Sequence, residues 1–290
     1  MPELPEVETV RRGLENHLTG RRIERIELRR PDLRFSFPEG FAALLRGRRV
    51  ESVERRAKYL LIRLDGDATW MCHLGMTGRW TLLGADSSEA ADGPHDWVVV
   101  HLDDGRRAVF SDHRRFGFMD HFETSEQNRN RILAKLGPEP TPDHLTPMDM
   151  ADALRGRRTP MKAALLDQRT VAGLGNIYVC EILFRSGISP RRNASSVAGK
   201  SGVTKRVERV TAATHDVIVR RLTPEARASA TSSTSKATWA TSVTPSRSTV
   251  GRASPAFQRD VRPPSGVSSS QAARPSTVQT ASVELTLLFL

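Results

Sequence analysis

Apolar residues recur at Val7, Val10, Leu14 and Leu18, three or four positions apart, and Gly20 follows. That spacing predicts an amphipathic helix over 4–19 with a glycine stop. From 22 to about 122 the pattern changes to short apolar runs. Ile23, Ile26 and Leu28 form one set; Tyr59–Leu64, Thr69–Leu74, Trp97–Leu102 and Arg107–Phe110 are the others. Asp65-Gly66 and Asp104-Gly105 punctuate them, as turns between strands do. The prediction is a β-sandwich behind one helix. From about 130 the apolar segments lengthen and take helical spacing, at 146–155, 160–168, 175–186 and 203–221. The expected fold class is α+β. A domain over 1–130 and a helical one over 131–222 should enclose a groove, the expected site. Residues 223–290 break the pattern, with 24 Ser or Thr, one Trp and two Phe. Few large side chains are available there to offset ordering entropy, so this third segment is expected to be disordered.

Composition narrows the partner. The 290 residues carry a net charge of +11 with a sequence pI near 10.6. A polyanion, most simply nucleic acid, fits that balance. Two cysteines, Cys72 and Cys180, suggest neither a disulfide framework nor a cysteine-pair metal site. No signal peptide and no apolar run of membrane-spanning length is present, so no membrane is expected and the chain is assigned to the cytoplasm.

The first residues carry the sharpest chemistry. Once Met1 is removed, Pro2 presents a secondary amine beside Glu3. Terminal amines titrate near neutrality, well below a lysine. Such an amine can attack a carbonyl or a sugar C1′ and form a cationic iminium, an electron sink. Proline is also an ordinary first-turn helix residue, so the dipeptide alone leaves both readings open. Further along, Lys58 opens an apolar strand in Arg55-Arg-Ala-Lys-Tyr-Leu-Leu61, where a snorkelling strand-edge lysine would look the same. His73-Leu-Gly-Met-Thr-Gly78 is a tight loop around Met76. Asp112-His-Arg-Arg-Phe-Gly117 sets two arginines beside a loop phenylalanine, and Pro94-His95-Asp96 precedes a strand. Leu165-Leu-Asp-Gln168 is followed by Val171-Ala-Gly-Leu-Gly-Asn-Ile-Tyr178 and Glu181. Glycines there permit close backbone approach, and a helix N-terminus is a phosphate site.

Together these segments resemble the formamidopyrimidine-DNA glycosylase (Fpg/MutM) branch of the Fpg/Nei family over about 1–220. The start Met-Pro-Glu-Leu-Pro-Glu-Val-Glu is its signature, and the related endonuclease VIII branch usually has Gly at position 4. The resemblance implies that Pro2 is the nucleophile, Glu3 handles protons and Lys58 assists elimination near the lesion. Met76 and Phe116 would wedge into the stack while Arg114 contacts the orphaned cytosine. His95, Arg158 and Asn176 would face phosphates, Asn176 from the helix–two-turn–helix motif. His113 stands where the motif usually has proline. The implied partner is double-stranded DNA with an oxidised purine or abasic site, bound by a monomer, with excision followed by β- and δ-elimination. A catalytically dead DNA-binding remnant and a Nei-like pyrimidine glycosylase are the alternatives; Leu4 with the Met76, Arg114 and Phe116 set argues against the second.

The tail departs from that family, whose members end in a four-cysteine zinc finger. Residues 223–290 contain no cysteine, so neither zinc nor any other cofactor is expected. Codons built from the last base of one codon and the first two of the next change the picture. In that frame Ser248–Ala256 can read Val-Tyr-Gly-Arg-x-Gly-Glu-Pro-Cys, Ala230–Ser233 Arg-Asp-Phe-Val, and Val278–Ser282 Cys-Pro-x-Cys-Gln. All three resemble the missing module, in order. The expected cysteine at Arg259 is not permitted. The frame is inferred to be lost between about Leu222 and Ser229.

Overall fold

A computed structural model describes residues 1–88, 92–223 and 238–239. The first helix, α1, spans Leu4–Leu18. It is followed by β1 (Ile23–Leu28), α2 (Phe41–Leu45), β2 (Val50–Arg56), β3 (Tyr59–Leu64), β4 (Ala68–His73), β5 (Arg79–Leu83), β6 (Asp96–Leu102), β7 (Arg107–Ser111) and β8 (Phe118–Glu123). All strand pairs are antiparallel. One sheet runs β1-β6-β7-β5, with a two-residue strand β9 (Thr238–Trp239) beside β5; the other runs β2-β3-β4-β8. The predicted sandwich is therefore present. The expected tail lies outside the described residues, apart from Thr223 and β9.

The sandwich core takes side chains from both sheets and from the buried face of α1. Val7, Val10, Leu14 and Leu18 pack with Ile23, Leu60, Trp70, Trp80 and Phe110. Between α1 and β8, four elements went unpredicted. In β2 (Val50-Glu-Ser-Val-Glu-Arg-Arg56) the charges outnumber the apolar residues, although Val50 and Val53 are buried. β5 begins on an exposed arginine, β8 mixes acidic and aromatic residues, and α2 is only five residues long. In each, tertiary pairing decides what local pattern does not.

The helical module holds α3 (Pro147–Leu154), α4 (Met161–Leu166), α5 (Asn176–Ser186), α6 (Ala194–Ala198) and α7 (Lys205–Leu222). Its start is set by a capping box. The Thr146 hydroxyl accepts from Asp149 N, and the Asp149 carboxylate accepts from Thr146 N. The α4–α5 connection is the predicted helix–two-turn–helix. Its turns are pinned by Gln168, whose side-chain amide donates to Leu166 O and Leu174 O and accepts from Gly173 N at 2.9–3.0 Å. A second core joins Leu154, Leu165, Tyr178, Ile182, Val210 and Ile218, and Leu4 of α1 belongs to it. The first helix thus serves two cores: its first turn packs in the helical module and the rest packs in the sandwich. Among the described residues, no helix is long and apolar enough to cross a membrane.

Candidate nucleic-acid interface and active site

The chain start is seated against the N-terminus of α5. Leu4 N donates to Gly173 O at 3.1 Å. The Glu3 carboxylate, 2% exposed, accepts from Gly175 N and Ile177 N at 2.8 Å and from Tyr178 N at 3.3 Å. A carboxylate at that end also meets the positive pole of the helix. A Cβ at position 175 would sit 2.6 Å from Glu3 Oε1, so only glycine leaves room for this seat. Glu6 continues the network. One of its oxygens accepts from Glu3 N at 2.9 Å, the other from the Tyr178 hydroxyl at 2.5 Å. Burial raises the Glu3 carboxyl above its ordinary value; the Ile177 and Tyr178 amides and the Lys58 charge oppose that rise without cancelling it. Pro2 is buried, while Met1 is 51% exposed.

Lys58 faces the same acidic pair. It is 6% exposed, and burial lowers its ammonium to about 8 although Glu3 and Glu6 pull the other way. Its backbone follows from an unusual turn. Ala57, between β2 and β3, is in the left-handed region at φ 54°, where a non-glycine residue is strained. Both its polar groups are held. Ala57 N donates to Glu139 Oε1 at 2.6 Å, and Ala57 O accepts from the Arg55 guanidinium at 3.0 Å. Arg55 in turn donates both terminal nitrogens to the two Glu139 oxygens at 2.9 Å and its Nε to Glu8 at 3.0 Å. Glu139, on the segment leading into the helical module, thereby holds the hairpin that carries Lys58.

The two loops singled out in the sequence meet each other. Met76 and Phe116 are 37% and 41% exposed, one on each of the two adjoining loops. Gly75 lies at φ 61° with the Phe116 carbonyl oxygen 2.5 Å from where its Cβ would be, so the loops touch backbone to backbone. Thr77 ties them further, donating its hydroxyl to Asp112 and accepting from Arg114 N at 3.0 Å. Buried Asp112 also accepts from Gly117 N at 2.8 Å. The Arg114 guanidinium lies 4.6 Å from the Phe116 ring centre, a cation–π distance. Beneath them His73 accepts from Gly75 N at 3.1 Å, and desolvation, helped by nearby Lys58 and Arg34, pushes it down to about 3. It is therefore a neutral acceptor that shapes the Met76 turn.

Asn176 is the first residue of α5 and is exposed. Arg158 is exposed and its carbonyl accepts from Asn193 at 3.3 Å. Its neighbour Arg157 is instead taken by Asp167 at 2.8 Å. His95, partly buried ahead of β6, faces His113 at 2.8 Å. Sequence reasoning named Pro2, Glu3, Lys58, Met76, His95, Arg114, Phe116, Arg158 and Asn176. It missed Glu6, Tyr178, Asp112, Thr77, Ala57 and Glu139. Of these only Glu6 carried a local signal, as the partner of Glu3 three residues away in a capping box.

A sandwich in which Pro2 and Glu3 are buried, followed by a helix–two-turn–helix module, defines a narrow class of proteins. Residues 1–119 match the formamidopyrimidine-DNA glycosylase N-terminal domain and residues 136–233 the formamidopyrimidine-DNA glycosylase H2TH domain. The chain belongs to the formamidopyrimidine-DNA glycosylase family. The formamidopyrimidine-DNA glycosylase of Ruegeria sp. (strain TM1040) is 48% identical over 223 residues, covering 75% of this chain and 78% of that one. That of Brucella ovis is 50% identical over 220 residues, covering 71% and 75%. A solved complex of wild-type Lactococcus lactis Fpg (MutM) with DNA containing N7-benzyl-Fapy-dG aligns at TM-score 0.68 and 30% identity, over 76% of this chain and 79% of that one.

The family's structural zinc does not fit the residues of this chain. Its two cysteines lie in different modules, Cys72 buried in the sandwich with its thiol pushed up to about 12 and Cys180 exposed on α5. Among the described residues no cluster of three or more His, Cys, Asp or Glu could hold a metal ion.

Proposed function

We propose that this chain is built to excise oxidised purines from duplex DNA through an iminium at Pro2. The observation that carries the proposal is the seating of the chain start: Pro2 is buried, Glu3 beside it is held by the amides at the α5 N-terminus, and the Lys58 charge acts on Glu3. The duplex is bent and the damaged nucleotide turned out of the stack, with Met76 and Phe116 offsetting part of the unstacking cost and Arg114 reading the partner base. After Met1 is removed, Pro2 attacks C1′ while Glu3 passes a proton toward the opening sugar ring. Burial has raised Glu3, which suits a group that must both hold and release a proton. The base leaves and an iminium joins Pro2 to the sugar. β- and then δ-elimination cut the strand on both sides, with Lys58 at the neighbouring phosphate. His95, Arg158 and Asn176 hold other phosphates. Fixing amine, carboxylate and sugar together supplies much of the rate. The partner is DNA with an oxidised purine or abasic site, and the working unit is a monomer.

Borohydride reduction on an abasic duplex tests this. A covalent adduct should form, and mass mapping should place it on residue 2; an adduct on a lysine would refute the Pro2 assignment. The missing cysteines favour a second reading in which turnover is impaired. The protein as it stands should bind no zinc, and restoring the inferred frame should recover zinc binding and excision together. Stoichiometric zinc, or full activity without it, would refute the frame account. A chain that binds duplex DNA yet gives no adduct would be a non-catalytic remnant.

A further inference from the structure

We infer that His113 and His95 form one phosphate-binding unit that takes up a proton when DNA docks. This rests on the proposed DNA groove and on a geometry that the His95 assignment alone does not use. His113 Nδ1 lies 2.8 Å from His95 Nε2, and the rings meet edge to face with centres 4.4 Å apart. The pair is held from both sides. The His95 carbonyl accepts from Asp112 N at 3.0 Å, and the Asp112 carbonyl accepts from the Trp97 indole at 2.7 Å. The Trp97 ring borders His95 at 6.0 Å. His113 itself is exposed, next to Arg114 in the loop that carries Phe116.

Proton counting gives the consequence. A hydrogen bond between two imidazoles needs one N–H and one bare nitrogen. Two neutral rings joined this way have one proton in the bond and one on an outer nitrogen, so the pair offers a single outward donor. One added proton leaves the bond intact, makes both outer nitrogens donors, and spreads one positive charge over two rings. A second added proton would break the bond. The pair thus has two states compatible with its geometry, and a phosphate selects the charged one because charge-assisted hydrogen bonds are the stronger kind.

The surrounding charges do not replace this. Asp96, which follows His95 and opens β6, is occupied by Gly93 N and by the Ser111 hydroxyl. Asp92 is exposed, three residues before His95. The Asp112 carboxylate is turned to Thr77 and Gly117. Arg30 lies over Trp97 at 5.5 Å, and Arg115 reaches Asp32 at 3.7 Å. Arg114 stacks on Phe116.

The test is duplex binding by the full chain, read by fluorescence anisotropy at fixed ionic strength from pH 6 to 8.5. The probe is a duplex with a tetrahydrofuran abasic analogue. Wild-type affinity should fall as pH rises, by about three- to tenfold across the range, as one proton linked to binding requires. His113→Pro should flatten that curve and weaken binding chiefly at the acid end. Its salt dependence should drop by about one charge. His113→Gln, which keeps an amide donor, should hold the alkaline affinity and lose the pH response. In a His95→Ala background, His113→Pro should add little. Parallel pH curves for wild type and His113→Pro, or additive losses, would overturn the paired unit while leaving the groove intact. Absence of salt-dependent duplex binding by wild type would overturn the groove, and this inference with it.

Discussion

Replacing Glu139 by alanine removes the carboxylate that joins Arg55 to the Ala57 amide in the Lys58 hairpin. The side chains of Arg55 and Glu139 are 10% and 11% exposed and share two 2.9 Å hydrogen bonds. Deleting one partner of a buried ion pair costs about 3–5 kcal/mol, because the other charge stays buried. Arg55 keeps Glu8 and the Ala57 carbonyl, so the low end, about 3 kcal/mol, applies. Burial pushes the Glu139 carboxyl up, but Arg55, ahead of the Ala57 amide and Arg56, more than offsets it and holds the group below the usual carboxylate range. A lowered carboxylate contributes stability above its unfolded value and loses it as pH falls through the folded one. The difference between wild type and variant should therefore be full at pH 7 and shrink below about pH 4, the ordinary range for Glu. Urea unfolding followed by tryptophan fluorescence reads it. With a slope of about 3 kcal/mol/M, the midpoint should fall by about 1 M. A shift under a third of that at pH 7, or one unchanged in acid, would show that the ion pair does not carry the hairpin.

Gly175→Ala should displace the Glu3 carboxylate from the α5 amides and reduce lesion processing by about a hundredfold or more, the scale of a lost positioned proton carrier. Single-turnover kinetics would show it, and near-normal rates would mean the seat is not needed. Met76→Ala and Phe116→Ala should leave the urea midpoint almost unchanged, since surface substitutions usually fall within about 0.5 kcal/mol. Excision should fall more than non-specific duplex binding; equal losses would remove the wedge role.

The long periodic elements were legible before any coordinates. Helix α1, strands β3, β6 and β7, and α5 fall within a residue or two of their predicted spans, because burial on one face writes itself into spacing. β2 was not legible: Glu51, Glu54, Arg55 and Arg56 hide two buried valines, and those charges serve partners far away in sequence. The same holds at the site. Pro2 and Glu3 were named from their order, but the seat of Glu3 is made by amides at 175–178, whose spacing says nothing about a carboxylate from the chain start. Asp112 and Glu139 read as loop charges; only the packed structure shows one joining two loops and the other fixing a strained alanine.

The seat of the chain start also sets an order of events during synthesis. The amides that receive Glu3 lie 172 and more positions downstream. At about 5–20 residues per second they leave the ribosome roughly 9–35 s after the first residues do. Throughout that interval Glu3 lacks the amides that seat it, which is when the Met1 removal required by the proposed mechanism meets least packing. Once residues 173–178 arrive, Pro2, Glu3 and Leu4 are buried and the bond to be cut adjoins packed protein. On the proposed mechanism, a chain that folds before it is trimmed keeps its Pro2 nitrogen capped and can form no iminium.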